Sequence, residues 1–392
     1  MEAEDMDYMS QEIVQLLTEL VKIESTNVGK YEKEIGDFVA NWMEKETGLP
    51  VIKDEFELDR FNVVCKLEGE IHDPAFITIH HMDVVPAGEG WKTDPFEPEI
   101  VGNRMYGRGA GDMKAGLAAG MLAFRDAVKQ DKKPKRDIIF IATADEEGCI
   151  MKGAMQALKS GYATKNSYAL DHEPSCGDIY VKHKGKTWFE IHVEGAPAHG
   201  SMPWTGIDTI VGMSEVVRGI KKRIDALPVD EEFGQSSVCF GTINGGYNTN
   251  VVAEKCSITI DMRLAPPLTT EGSLKLVEDA IQEACEKVPG LKGSYNVIAK
   301  RPYILQDDSS VLLRELQEVV KGVTGVYAKT PVFTGYTDTG VIAAETGNIN
   351  CMSYGPVGVN YHQANEYVDL DSVLQVYEVS SKITYRMGFE VD

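Results

Sequence analysis

The sequence lacks any apolar run long enough to cross a membrane. A bilayer-spanning helix needs roughly 20 consecutive apolar residues, and no hydrophobic stretch approaches that length. The first residues, Met1-Glu2-Ala3-Glu4-Asp5, also have neither the basic nor the apolar region of a secretory signal. We therefore expect a cytoplasmic protein with no membrane partner.

Positive charge is scarce. The chain has 39 Lys and Arg residues against 61 Asp and Glu residues, which gives a formal net charge of -22. A surface of this sign repels phosphate backbones and anionic lipid headgroups. We therefore expect no nucleic-acid partner.

Paired cysteines are also missing. The seven cysteines are odd in number, far apart and never arranged as C-x-x-C. This pattern predicts reduced, mostly buried thiols rather than a disulfide framework. The residues concerned are Cys65, Cys149, Cys176, Cys239, Cys256, Cys285 and Cys351.

The hydrophobic pattern near both ends of the chain predicts an α/β domain. The 392 residues exceed the size at which a single core stops growing. Short apolar runs alternate with stretches of helical periodicity, which is typical of a mostly parallel sheet flanked by helices. The predicted helices are 11–22, 31–45, 113–128, 309–322 and one from about 371, and the predicted strands are 75–79, 137–143, 167–170 and 349–354.

The middle of the chain has a different pattern. In Thr187–Glu194 and Cys256–Arg263, apolar and polar residues alternate, as in strands that are buried on one face. Helical stretches near 207–226 and 270–288 complete the order β-α-β-β-α-β, which is a compact α+β unit. We predict a catalytic metal-binding domain of residues 1–182 and 300–392, with an inserted lid or dimerisation domain of residues 183–299.

Potential metal ligands follow the predicted strands of the catalytic domain. Ligands of open α/β sheets bind beyond the carboxyl ends of the strands. Taken singly, such a histidine is usually structural and adjacent glutamates are usually solvated, but here several occur together. Two imidazoles and several carboxylates suit a pair of zinc-like ions that share one carboxylate and a water molecule. The candidates are His81, Asp112 in a glycine-rich turn, Glu146, Glu147, Asp171, Glu173 and His362.

Eight short motifs carry a resemblance to a known family. The chain resembles the metallopeptidases and amidohydrolases that include acetylornithine deacetylase, succinyl-diaminopimelate desuccinylase, aminoacylase and carboxypeptidase G. The resemblance covers nearly the whole chain and implies a zinc-peptidase-like fold. The motifs are H-x-D-V-V-P at 81–86, G-R-G-A-x-D-M-K at 107–114, D-E-E-G at 145–148, E-P-S at 173–175, A-H at 198–199, N-V-V at 250–252, D-x-R at 261–263 and H-x-x-N-E at 362–366.

The resemblance implies two metal sites that share one ligand. One ion would be held by His81, Asp112 and Glu173, and the other by His362, Asp112 and Glu147, so that Asp112 bridges. We expect two divalent ions, Zn²⁺ in the first place, with Co²⁺ or Mn²⁺ as alternatives.

Further residues receive roles from the resemblance or from spacing. Glu146 would be the general base that activates the water. Asp83 lies two positions after His81, so on an extended segment its carboxylate could orient that imidazole. His199 would reach the oxyanion in the active site of a partner subunit, which predicts a homodimer. The substrate-binding candidates are Asn250, Arg263 and Arg301, and guanidinium groups suit a terminal carboxylate.

The sequence departs from the family pattern in three places. His80 stands where glycine is usual, and Asp171 offers a second carboxylate near Glu173. The segment 336–339, Tyr-Thr-Asp-Thr, lacks the arginine of the desuccinylases, which argues against a succinylated substrate.

These observations predict hydrolysis of the amide bond of an N-acylamino acid or short peptide with a free carboxylate, through attack by a hydroxide that the two ions share. Two alternatives remain open at this point. One is a glycosidase that uses Glu146 and a second carboxylate without any metal. The other is a catalytically inert or differently specialised relative, although an intact Glu146 argues against loss of activity.

Overall fold

The structure of the protein is a computed structural model, which describes residues 3–148 and 150–391. The chain divides into two compact units. Unit 1 comprises Met1–Val181, Gln306–Pro331 and Thr337–Asp392, and unit 2 comprises Lys182–Leu305 and Val332–Tyr336. Unit 2 thus extends six residues further than the predicted boundary at 299 and includes a short later segment that the sequence did not reveal.

The described part of the chain opens with two helices, and strands and helices then follow in irregular order. The helices are α1 (Ala3–Lys22), α2 (Lys33–Thr47), α3 (Ala115–Val128), α4 (Lys152–Lys159), α5 (Thr209–Asp225), α6 (Thr270–Lys287), α7 (Val311–Thr324), α8 (Asp338–Thr346) and α9 (Leu370–Tyr385). The strands are β1 (Val51–Glu57), β2 (Arg60–Leu67), β3 (Ile71–His81), β4 (Glu99–Val101), β5 (Arg104–Tyr106), β6 (Arg136–Thr143), β7 (Tyr168–Asp171), β8 (Lys182–His183), β9 (Gly185–Glu194), β10 (Ser237–Gly245), β11 (Lys255–Leu264), β12 (Lys292–Arg301), β13 (Val332–Phe333), β14 (Cys351–Ser353), β15 (Gly358–Val359) and β16 (Tyr367–Asp369).

Unit 1 is built on a six-stranded sheet with the order β1-β2-β6-β3-β7-β14. The four strands β6, β3, β7 and β14 are parallel, whereas β1 and β2 are antiparallel to their neighbours. The prediction of a mostly parallel sheet flanked by helices is therefore confirmed. The antiparallel strands were not predicted, because β1 carries four charged residues among its seven and has no continuous apolar run.

Helix α3 packs closely against the strand ends that carry His80 and His172. A side chain at Gly120 would place its Cβ 2.1 Å from His80 Nε2, so glycine is required there. The His80 ring stacks on His172 with centroids 5.0 Å apart, and burial keeps the pKa of His80 well below its usual value. A neutral, buried His80 thus replaces the usual glycine, and Gly120 supplies the space for it.

Unit 2 contains an antiparallel sheet with the order β10-β11-β9-β12, and helices α5 and α6 pack on one face. The predicted order β-α-β-β-α-β is confirmed as β9-α5-β10-β11-α6-β12. The apolar residues of β9 are buried and alternate with residues that are mostly half-buried, as the period of two predicts. Whether this unit serves as a lid or a dimerisation domain stays a prediction.

Two global expectations can be compared with the described residues. None of the described helices is long and apolar enough to cross a membrane. Cys65, Cys256 and Cys351 are buried, but Cys176 and Cys239 are exposed, so the expectation of mostly buried thiols is wrong for these two. Cys149 lies outside the described residues.

Candidate metal centre and active site

His81 ends β3 and points its Nε2 atom at a group of carboxylates. The imidazole is buried, and Nε2 lies 3.1 Å from Asp112 Oδ1, 3.4 Å from Glu173 Oε1 and 3.9 Å from Glu146 Oε2. On the other side of the ring, Nδ1 lies 2.8 Å from the backbone carbonyl oxygen of Asp83. Because that carbonyl can only accept a hydrogen bond, Nδ1 carries a proton, and Nε2 is the ring nitrogen that faces the carboxylates and would bind a cation there.

The carboxylate of Asp83 has a different role from the predicted one. Its Oδ1 atom lies 3.8 Å from His81 Nδ1, which is too long for a hydrogen bond, so the expectation that this carboxylate orients the imidazole is wrong. It accepts hydrogen bonds from the backbone N–H groups of Glu146 and Glu147, both at 3.1 Å, and from Asn27 Nδ2 at 2.9 Å. Asp83 therefore fixes the turn that presents Glu146 and Glu147.

Asp112 lies between the two imidazoles. Its Oδ1 atom is 3.1 Å from His81 Nε2, and its Oδ2 atom is 3.3 Å from His362 Nε2. The preceding turn brings it there, because Gly109 has φ +79° and a Cβ at that position would lie 2.5 Å from Val84 Cγ1. Burial acts to raise the pKa of Asp112, but hydrogen bonds from the two imidazoles outweigh it, and the pKa lies below its usual range.

His362 completes the cluster from an irregular segment. Its Nε2 atom lies 3.2 Å from Glu147 Oε2 as well as near Asp112, and hydrogen bonds to these two carboxylates raise the pKa of His362 to about 10. About half of this side chain is exposed. The His362 side of the cluster is therefore open to solvent.

The donor set fits a pair of divalent cations. Ligand atoms of His81, Asp112 and Glu147 lie within 4.8 Å of one another, and so do those of His81, Glu146 and Glu173. Burial raises the pKa of both Glu146 and Glu173 well above the usual value, with contributions from neighbouring carboxylates. So many buried acids repel one another, and cations bound among them would relieve that repulsion. Mixed imidazole and carboxylate ligands are typical of zinc and related ions.

A search with models of known protein families gives one decisive match. Residues 77–386 match the model of peptidase family M20/M25/M40. The chain belongs to this family. As a member of the peptidase family M20, the protein is a hydrolase of peptide or related amide bonds, and the resemblance expected from the sequence motifs is confirmed.

Individual relatives of this M20 hydrolase include deacylases and peptidases. The chain is 31% identical over 319 residues to the succinyl-diaminopimelate desuccinylase of Shewanella piezotolerans, covering 78% of this chain and 81% of the relative. Its fold is similar to that of a tripeptidase from Staphylococcus aureus, with a TM-score of 0.78, 24% identity and coverage of 96% and 98% of the two chains. It is also similar to an M20 metallo-carboxypeptidase from Sulfolobus solfataricus, with a TM-score of 0.79, 17% identity and coverage of 95% and 98%.

The turn that carries Glu146 and Glu147 in this M20 hydrolase is held by residues that the sequence did not reveal. Arg60 Nη2 donates to Asp145 Oδ1 at 2.9 Å and to Glu32 Oε1 at 2.5 Å. Glu32 accepts from the backbone N–H of Asp145 at 3.1 Å, and Asn27 Nδ2 lies 3.2 Å from Asp145 Oδ1. These isolated polar residues belong to no motif, so only the tertiary structure reveals them.

Two candidates of unit 2 lie together beyond the end of β9. His199 forms an isolated bridge with Val251, and the N–H of Gly200 donates to the carbonyl of Asn250 at 2.7 Å. His199 and Asn250 are both exposed. The Nδ1 atom of His199 lies 2.8 Å from Ser201 Oγ, which leaves Nε2 directed away from this contact.

The two arginine candidates lie at the opposite end of the same sheet. Arg263 and Arg301 are both in register with Lys186, the second residue of β9. Glu194, at the far end of β9, is eight residues from Lys186, which corresponds to about 26 Å along an extended strand. The structure therefore separates His199 from the arginines within one chain instead of bringing them together.

The choice between Asp171 and Glu173 leads to a first prediction. Asp171 Oδ2 accepts from Thr339 Oγ1 at 2.6 Å, whereas Glu173 Oε1 faces His81. We expect Glu173→Ala to weaken binding of one ion by more than the roughly 10–100-fold that is typical of losing an outer-sphere contact. Asp171→Asn should retain both ions. Metal content after dialysis measures the difference, and a variant Asp171→Asn that loses an ion while Glu173→Ala keeps both would contradict this assignment.

Proposed function

We propose that this protein is a two-metal amidohydrolase or exopeptidase that cleaves an N-acylamino acid or short peptide with a free carboxylate. The observation that carries the proposal is the position of Asp112 between two imidazoles, with Glu147 beside His362 and Glu173 beside His81. Such a shared carboxylate is suited to hold two ions close together. Zn²⁺ is the proposed metal.

We assign each residue of the cluster a separate role. His81, Asp112 and Glu173 would hold one ion, and His362, Asp112 and Glu147 the other. When bound, the ions would polarise the scissile carbonyl and lower the pKa of a shared water molecule. Glu146 would take a proton from that water and deliver it to the leaving nitrogen.

Glu146 is well suited to this proton transfer. Burial raises the pKa of its carboxyl group, although the neighbouring His81 acts in the opposite direction. Bound cations would offset the part of this rise that comes from neighbouring carboxylates, whereas burial, its largest cause, would remain. A general base works best when its pKa lies near the operating pH. Its turn is fixed by the backbone hydrogen bonds to Asp83, which limits reorganisation during the reaction.

The separation within unit 2 supports a homodimer. A dipeptide spans at most about 7 Å, so one small substrate cannot touch both His199 and the arginines Arg263 and Arg301 of a single chain. We propose that the arginines bind the free carboxylate of the substrate in their own subunit. His199, with Asn250 beside it, would act in the active site of the partner subunit, where its imidazole would stabilise the developing oxyanion.

Metal analysis and a substrate panel test the proposal together. We expect about two divalent ions per chain, loss of activity with a chelator, and recovery with Zn²⁺, Co²⁺ or Mn²⁺. The panel consists of N-acetylamino acids, N-succinylamino acids and dipeptides, each with a free and an amidated C terminus. Active enzyme without any bound metal would refute the two-metal proposal, and equal turnover of the amidated substrates would refute the requirement for a free carboxylate.

The same substrate panel also shows which acyl group the enzyme prefers. The Shewanella relative is named a succinyl-diaminopimelate desuccinylase, whereas the segment Tyr336–Thr339 lacks the arginine expected in desuccinylases. We expect N-acetyl substrates to be preferred over N-succinyl substrates. A higher kcat/KM for the succinyl series would show that another cation of this chain binds the succinyl carboxylate.

A further inference from the structure

The side chain of Glu366 lies fully buried beneath the turn that presents Asp112. Its Oε1 atom accepts from the backbone N–H groups of Gly111 and Asp112, both at 3.0 Å. Its Oε2 atom accepts from the N–H of Gly109 at 3.1 Å and from Arg108 Nη1 at 2.5 Å. Four donors thus converge on one carboxylate, and three of them belong to the backbone of the turn.

The guanidinium of Arg108 extends this network to two other segments. The side chain is buried, and Nη2 donates to the carbonyl oxygens of Ala87 at 3.2 Å and Gln363 at 3.3 Å. The Pro86 carbonyl lies 3.5 Å from the same atom, and the ring of Trp91 is 5.4 Å from the guanidinium carbon. Arg108 therefore contacts both the segment after His81 and the segment after His362.

The Arg108–Glu366 pair thereby joins three segments that are far apart in the sequence. One follows His81, the second carries Asp112, and the third begins at His362. Each segment supplies one of the proposed ligands, and the pair contacts the backbone of all three. None of the proposed ligands is itself part of the pair.

We propose that the Arg108–Glu366 pair is the positioning device of the metal centre, and that its loss releases the ion at His362 before the ion at His81. This inference rests on the proposed two-metal function. It assigns no chemical step to the pair, which acts only through the residues that it holds.

The two proposed ions differ in how far they depend on the pair. His81 lies at the end of β3, paired in the parallel sheet, and the backbone of Asp83 fixes its ring. His362 lies in an irregular segment with φ +59°, and about half of its side chain is exposed. Glu366, four residues later, is the buried end of that segment. Loss of the hydrogen bonds to Glu366 should therefore displace His362 more than His81.

Two variants separate positioning from simple stability. Glu366→Asp keeps the charge, but the side chain is one methylene shorter and cannot reach all four donors. The double variant Arg108→Met with Glu366→Met removes both buried charges, so that neither is left unpaired. Glu315→Asp is the matched control, because Glu315 is also buried and is paired with Arg386 away from the metal cluster.

Metal-free full-length protein is titrated with Co²⁺, and binding is monitored by absorption spectra and equilibrium dialysis. The thermal midpoint of each metal-free variant is measured as well. We expect both Glu366 variants to bind the ion at His362 roughly 10–100-fold more weakly. The ion at His81 should be weakened less, because a shift of the shared Asp112 affects both ions while His81 keeps its place in the sheet. Glu315→Asp should bind both ions as the wild type does, even where its thermal midpoint falls.

Three outcomes would overturn the inference. The first is a Glu366 variant with a lower thermal midpoint but two unchanged affinities, since the pair would then be purely structural. The second is equal weakening of both ions. The third is a wild-type protein that binds no second ion, which would contradict the proposed function as well, whereas the first two outcomes leave that function intact.

Discussion

The variant Glu146→Gln should retain both metal ions and lose roughly 100-fold to 10,000-fold in kcat, the range that a general acid–base group contributes. The amide is close in shape to the carboxylate but cannot accept the proton of the attacking water. Glu146 Oε2 lies 3.9 Å from His81 Nε2, further away than the nearest carboxylates of Asp112 and Glu173. Its removal should therefore leave the proposed ligand sets complete.

The exposed Glu89 offers a matched control for this experiment. Glu89→Gln makes the same chemical change outside the cluster and should leave kcat unaltered. Metal content is measured on the same samples. A rate near that of the wild type for Glu146→Gln would assign the base to another residue, and loss of the ions together with the rate would make Glu146 a ligand.

The second large effect is expected at His199. Since an imidazole aimed at the oxyanion stabilises the transition state more than the substrate, His199→Ala should lower kcat by roughly 100-fold or more. The metals should be unaffected, because His199 lies in unit 2 and all proposed ligands lie in unit 1. His192→Ala is the control in the same unit, since His192 is half-buried on β9 and paired with Glu190.

Mixing two inactive variants tests whether the partner subunit supplies this histidine. In a heterodimer of His199→Ala with Glu146→Gln, one of the two sites has both residues intact if His199 acts across the dimer. Each heterodimer should then recover about half of the wild-type activity, because a symmetric dimer has two equivalent sites. The absence of recovery in purified heterodimers would place His199 in its own subunit or outside the reaction.

Much of the candidate metal centre could be predicted because parallel strands align their carboxyl ends. His81 ends β3, Glu147 follows β6 and Glu173 follows β7, and these three strands are neighbours in the sheet. Any polar residues just beyond them must come close together. Asp112 lies in a glycine-rich turn and His362 in an irregular segment, and the family resemblance assigned each of them its ion.

The supporting contacts could not be predicted in the same way. Asp83 was expected to orient His81 because residues two apart share a face of an extended segment. In the structure its backbone carbonyl makes that contact, and its carboxylate holds the turn of Glu146 and Glu147. A carboxylate binds whichever donors the fold brings to it, and these donors come from a different strand end.

The amino-acid sequence favoured one type of chemistry and indicated the order of the elements. Hydrophobic periods of two and 3.6 residues distinguish the strands from the helices, and the ligand types favour a metal centre. The E-P-S motif indicated Glu173 rather than Asp171, but only the tertiary structure gives a physical reason for that choice. Asp171 and Glu173 are two residues apart, so residue type and position after a strand do not distinguish them. The start of α8 brings Thr339 against Asp171, and this hydrogen bond occupies Asp171 while Glu173 stays beside His81.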